Sequence, residues 1–177
     1  MLDCDPSSAF FGYMGVTCAV VLSNVGAAYG TAKTGLGIAS MGVTRPDMIM
    51  RAMVPVVMAG VLGIYGLITA VIISGRIDGA GYSAYSSYAD MAAGCTVGFS
   101  SLAAGLAIGV VGEVGVKASA TQPQLFAGLI LILIFAEALG LYGMIVGLVV
   151  SSNGKTLGSD LCVPAVIGSC GRFSSTC

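Results

Sequence analysis

Four apolar stretches, each long enough to cross a lipid bilayer, constrain this chain more than any other feature. A bilayer core about 30 Å thick takes about 20 apolar residues at ~1.5 Å each. The stretches run from about Phe10 to Ala32, Ala52 to Ile73, Met91 to Val111, and Leu125 to Val150. The expected fold is an all-α membrane protein of four transmembrane helices. Short connections pair the helices as two hairpins and leave both termini on one side. The implied organisation is an N-terminal segment at 1–9, a first helical hairpin at 10–74, a connecting loop at 75–90, a second hairpin at 91–152, and a tail at 153–177.

Composition narrows the function classes. Only 8% of the 177 residues are charged, against about 25% in an ordinary globular domain, which excludes both a soluble domain and a disordered chain. A net charge of -1 without a basic stripe excludes a nucleic-acid binder. The absence of histidine rules out a His–metal centre and a Ser-His-Asp triad, and no CxxC pair occurs. No cofactor is expected.

Charge placement suggests an orientation. The acidic start, with Asp3 and Asp5, does not resemble a signal peptide, so the first helix is expected to remain. Lys33, Arg45 and Arg51 fall in the first hairpin turn and Lys117, beside Glu113, in the second. The connecting loop holds Arg76, Asp78 and Asp90. The positive-inside rule puts the hairpin turns in the cytoplasm and both termini outside or in a lumen. Tyr82, Tyr85 and Tyr88 of the loop fit either an interfacial aromatic belt or a plain polar loop.

The two hairpins are copies. Thr44-Arg45-Pro46 matches Thr121-Gln122-Pro123, and Ala59 to Gly66 matches Ala136 to Gly143, both at a spacing of 77. Gly15, Gly26 and Gly30 match Gly94, Gly105 and Gly109 at a spacing of 79. The copies share chain order across an even number of spans, so they are parallel repeats about an axis along the membrane normal. Inverted-repeat transporters do not fit this pattern.

Small residues line one face of alternate helices. They are Gly12, Gly15, Ala19, Ser23, Gly26 and Gly30 in the first, and Gly94, Gly98, Ser101, Gly105, Gly109 and Gly112 in the third. Steps of three or four put each set on one side. Lipid gives helices no hydrophobic reason to associate, and close backbone approach through small residues holds them together. Two full-length stripes suggest packing at very small radius, as on the inside of a tight ring. Packing within a single four-helix bundle is the alternative.

One acid lies deep in a span. Glu137 sits midway between Leu125 and Val150, flanked on its own face by Leu133, Ile134, Gly140 and Leu141, none of which can neutralise it. A charge there costs at least ~2.5–3.5 kcal/mol. The carboxyl is expected to hold its proton while facing lipid and to release it only where water or a cation compensates. A purely structural role, donating a hydrogen bond between helices, is the alternative, but Ser, Thr, Asn or Gln serves it better. The repeat adds weight to function, because the first copy carries Gly60 at the matching position. Sodium would need several oxygen ligands, and Met58, Ala59, Val61 and Ile64 around Gly60 offer none. Tyr65, and Tyr142 as a second candidate, could donate a hydroxyl to Glu137; one carboxyl and one phenol suit a proton. Packing with a hydroxyl satisfied elsewhere is the other reading of both tyrosines.

The stretch from Leu131 to Val146, built around Phe135-Ala136-Glu137-Ala138-Leu139-Gly140-Leu141-Tyr142-Gly143, closely resembles the last helix of the V-type ATPase 16 kDa proteolipid family. Gly26 to Gly35 and Val54 to Gly66 resemble its first hairpin, and Gly109 to Lys117 its second cytoplasmic turn. The similarity covers about residues 7 to 152. It implies a chain that is not itself catalytic but assembles with copies of itself and sister proteolipids into a rotor ring of the membrane (Vo) sector, in a vacuolar or other acidic endomembrane. In that family the glutamate matching Glu137 carries the proton, H+ is the transported ion, and a neighbouring stator subunit supplies an arginine and two half-channels. The V1 sector hydrolyses ATP and turns the ring through a central stalk.

Family members usually stop shortly after the fourth helix, whereas this chain continues from about Asn153 to Cys177. The apolar run Val163 to Ile167 is too short to span. A disordered or variant terminus is expected, and a lumenal disulfide among Cys162, Cys170 and Cys177 is the alternative. Cys18 and Cys95 are expected to serve as small apolar packing. Gly154-Lys155-Thr156 lacks the leading glycine and strand of a phosphate-binding loop, so no direct ATP binding is expected. Neither Asn24 nor Asn153 heads a glycosylation motif.

Three functions compete on these observations. The first is a proton-translocating member of a rotor ring. The second is a stand-alone oligomeric channel, for which the stripes offer no ring of charges or carbonyl filter. The third is a small secondary transporter, for which no second polar substrate group exists.

Overall fold

A computed structural model describes residues 8–77 and 82–173, with side chains as far as Gly154. Among them, four helical spans are long and apolar enough to cross a membrane. Helix α1 covers Ser8–Thr44. A 3-10 turn at Pro46–Met48 and the short α2, Ile49–Ala52, lead into α3, Val54–Ser74. Helix α4 covers Ala84–Thr121 and α5 covers Leu125–Phe173.

The hairpin turns follow from the repeated proline motif. A residue before proline is pushed out of the helical region. Arg45, ahead of Pro46, sits at φ -143 and ψ 89, and Gln122, ahead of Pro123, at φ -130 and ψ 105. Nothing upstream breaks either helix. Thus α1 runs to Thr44, well past Ala32, and α4 runs to Thr121, past Val111. At about 55 Å each, both exceed the thickness of a bilayer core.

The connecting loop is shorter than expected at 75–90. Ser83 caps α4, its side chain accepting from the Ser86 amide at 3.2 Å. The cap draws Tyr85, Tyr88 and Asp90 into the helix. Tyr85 and Tyr88 are exposed, and the Tyr88 ring packs on Phe11 with centroids 5.1 Å apart. Tyr82 stays in the loop and is buried. Asp78 lies outside the described residues, as do residues 1–7 of the expected N-terminal segment.

The tail also departs from expectation. The backbone of α5 continues helical through Phe173 instead of ending near residue 152. The possible disulfide among Cys162, Cys170 and Cys177 lies outside the described side chains. Cys18 and Cys95 are free and half-buried.

Helices α1 and α4 pack backbone against backbone. A methyl group on Gly105 would run into the Gly26 backbone, and one on Gly94 into Gly15. One on Gly30 would meet the Gly105 carbonyl at 3.0 Å, and one on Gly109 would meet Gly30 Cα at 3.1 Å. These contacts advance together along both chains, so α1 and α4 run parallel, as tandem repeats require. The core between the hairpins is made by Ala59 and Leu62 of α3, Ala104 and Ile108 of α4, and Leu129, Leu133 and Ala136 of α5. At the hairpin-turn end, Glu113 of α4 pairs with Lys117 at 2.9 Å, as its spacing suggests, and with Lys33 of α1 at 3.5 Å.

Candidate functional site

Glu137 sits on α5 where that helix meets α3. Its inner neighbours are apolar: Leu133 is fully buried and Ala136 nearly so. Ile134 and Leu139 on either side are exposed. Glu137 itself is half-buried. The Tyr65 hydroxyl, also half-buried, reaches across from α3 and donates to Oε1 at 3.3 Å. This is long for a hydroxyl donor, whose usual distance is about 2.7–2.8 Å. Among the described residues no ion pair involves Glu137; the ion pairs gather on Glu113. No group of three or more His, Cys, Asp or Glu that could hold a metal occurs among the described residues.

Of the two tyrosines considered, the structure brings only Tyr65 to the carboxyl. Tyr142 is 61% exposed and makes no hydrogen bond to Glu137. Five residues along a helix turn a side chain about 140° around the axis, so Tyr142 points away. The repeat accounts for the swap. Tyr65 and Tyr142 are equivalent, but each copy's tyrosine lies too far around its own helix to serve that helix's acid position. A donor has to come from the neighbouring helix. Gly60, equivalent to Glu137, is exposed, and nothing lies within 4 Å of where a Cβ would sit.

Support for the site comes from small residues behind it. Gly140 and Gly143 of α5 press against Leu62 of α3 and Ser100 of α4. Gly66, beside Tyr65, abuts Ser23 of α1. Gly140 lets α5 approach α3 closely, while Gly143 and Gly66 seat α5 on α4 and α3 on α1. Gly26, Gly30, Gly105 and Gly109 act further back, holding α1 to α4.

Sequence reading missed a buried acid. Asp90, assigned to the loop, is 3% exposed on α4. Its Oδ2 accepts from the Tyr82 hydroxyl at 2.7 Å and its Oδ1 from Ser151 Oγ of α5 at 2.6 Å. Only Ser83, as a helix cap seven residues upstream, marked Asp90 as helical.

The sequence matches the family model for the C subunit of ATP synthase twice, at residues 14–73 and 91–150. The two matches are the two hairpins. A V-type proton ATPase 16 kDa proteolipid subunit of Chrysotila carterae is 56% identical over 155 residues, covering 85% of this chain and 94% of the relative. The V-type proton ATPase 16 kDa proteolipid of Ovis aries is 57% identical over 146 residues, covering 82% and 94%. A V-type proton ATPase 16 kDa proteolipid of Caenorhabditis briggsae is 53% identical over 146 residues, covering 81% and 91%. The chain belongs to the V-type proton ATPase 16 kDa proteolipid family. It is an integral membrane protein of that family, with its two repeats folded as helical hairpins and Glu137 in the second.

Proposed function

We propose that the chain is a proton-translocating rotor-ring subunit of the membrane sector of a V-type ATPase, with Glu137 as the group that carries the proton. The observation that bears most weight is the setting of this carboxyl: midway along an apolar span, with no ion-pair partner among the described residues and one phenol as its donor. A protonated carboxyl tolerates such a place, and a carboxylate there costs ~2.5–3.5 kcal/mol or more.

The cycle uses that penalty. Glu137 takes a proton from one half-channel and travels through lipid as a neutral acid. It discharges where an arginine of the stator stabilises the carboxylate. Moving one charge against 100 mV costs about 2.3 kcal/mol, which ATP hydrolysis in the V1 sector must exceed through the central stalk. The chain does not catalyse hydrolysis. The glycine faces of α1 and α4 suit an inner circle of a ring of copies and sister proteolipids. Hairpin turns in the cytoplasm and termini in the lumen of a vacuole or other acidic compartment fit the charge bias.

Replacing Glu137 with Gln tests this reading. ATP-driven acidification of vesicles should stop while the complex still assembles; acidification that continues in an assembled complex overturns it. The stand-alone channel is not favoured by membership of the proteolipid family. It would require purified rings to conduct ions without partners.

A further inference from the structure

Asp90 is not the proton carrier of the proposed cycle, yet it is almost fully buried. Both of its oxygens are occupied, by Tyr82 and by Ser151. Ser151, itself buried, accepts from Arg76 Nη1, just past the end of α3, at 2.7 Å. Ser8 Oγ of α1 donates to the Tyr82 carbonyl at 3.0 Å, and Ser86 Oγ of α4 donates to the Gly154 carbonyl of α5 at 3.0 Å. Burial and the adjacent carboxylate push the Tyr82 phenol well above its usual range, so it stays a donor. All four spans are therefore joined at one end of the bundle around this carboxyl.

The join matters for α5. Between Gly140 and Gly147 this helix rests on its neighbours through glycines in van der Waals contact with Leu62, Ser100 and Val97. Such contacts carry no direction, and in lipid they leave rotation and sliding weakly opposed. Charge-assisted hydrogen bonds do carry direction. Ser151 lies fourteen residues, about four turns, beyond Glu137 and on nearly the same side of the helix. Turning α5 by about 20° moves a side chain at a radius of about 5–6 Å by about 2 Å, enough to break the contact with Tyr65. The repeat points the same way. Phe11 stands where the second copy has Asp90, and Ser74, the counterpart of Ser151, is exposed. The copy that carries the proton-site acid is also the copy that carries the buried fastening acid.

We infer that Asp90 is a positioning residue. Through Ser151 it sets the axial and rotational register of α5, and so the presentation of Glu137. The inference rests on Glu137 as the proton carrier.

Asp90→Ala, Asp90→Asn, Ser151→Ala and, as a control from the first repeat, Ser74→Ala can be compared in the intact complex in vesicles. The first readout is the rate and pH profile with which a hydrophobic carbodiimide labels Glu137, identified by the mass of its peptide. The second is protons moved per ATP. Asp90→Ala and Ser151→Ala should each change the labelling rate by about threefold or more and displace its pH profile. Asp90→Asn, which keeps one acceptor oxygen, should restore much of both, and Ser74→Ala should match the parent. Unchanged labelling in Asp90→Ala and Ser151→Ala within assembled complexes overturns the inference. If Asp90→Ala does not assemble, Ser151→Ala decides: a changed profile upholds the inference and the parent profile overturns it. Labelling reads the placement of Glu137 whether or not that carboxyl carries protons, so this failure is distinct from acidification surviving in Glu137→Gln.

Discussion

The hydroxyl of Tyr65 on α3 donates to Oε1 of Glu137 on α5 across 3.3 Å, so the proposed proton site is shared between the two hairpins. Each copy of the repeat contributes one half: the first gives the donor and the second gives the acid.

Tyr65→Phe removes that donor and leaves the ring. A hydrogen bond of this kind contributes about 0.5–1.5 kcal/mol net, and the long distance favours the low end. ATP-driven acidification should slow a few-fold and not stop. Tyr142→Phe should change it little, because that hydroxyl makes no bond to Glu137. Initial rates of vesicle acidification, normalised to assembled complex, check both.

Gly105→Ala should destabilise the fold by about 1–3 kcal/mol, because the added methyl meets the Gly26 backbone, which cannot move aside alone. Gly60→Ala and Gly128→Ala should be tolerated within the folded chain, where nothing lies within 4 Å. Thermal unfolding of the purified protein in detergent separates these cases.

Gly60→Glu in a Glu137→Gln background moves the acid to the equivalent place in the first hairpin. The chain should fold, since the position is open. Acidification should return at best a few-fold slower than in the parent, because nothing lies within 4 Å of a Cβ at that position to support the new side chain as Tyr65 supports Glu137. Vesicle acidification by the double variant is the measurement.

Glu113→Gln breaks the contacts to Lys33 and Lys117 together. The pairs are partly exposed, so the loss in thermal stability should be small and should shrink in high salt. Lys33→Gln should cost less, since it leaves the Lys117 pair intact. Melting curves at low and high ionic strength test both.

Much of this protein was legible in its sequence because the bilayer imposes simple demands. Spans must be long and apolar, backbones must pair within helices, and a lone acid must be accounted for. Those rules located the four spans, the tandem hairpins, the small-residue faces of α1 and α4, and Glu137.

Helix ends and side-chain partners were another matter. Hydropathy falls off at Ala32, but a helix ends only where a proline or cap stops it, so α1 reaches Thr44. Asp90 read as a loop acid because charge suggests solvent; its burial depends on Tyr82 and on Ser151, sixty-one residues away in the chain. Sequence offered Tyr65, with Tyr142, its repeat counterpart, as a second candidate. Only the packing of α3 against α5 chose between them, because a side chain's partner is set by which helices lie side by side and how each is turned about its axis.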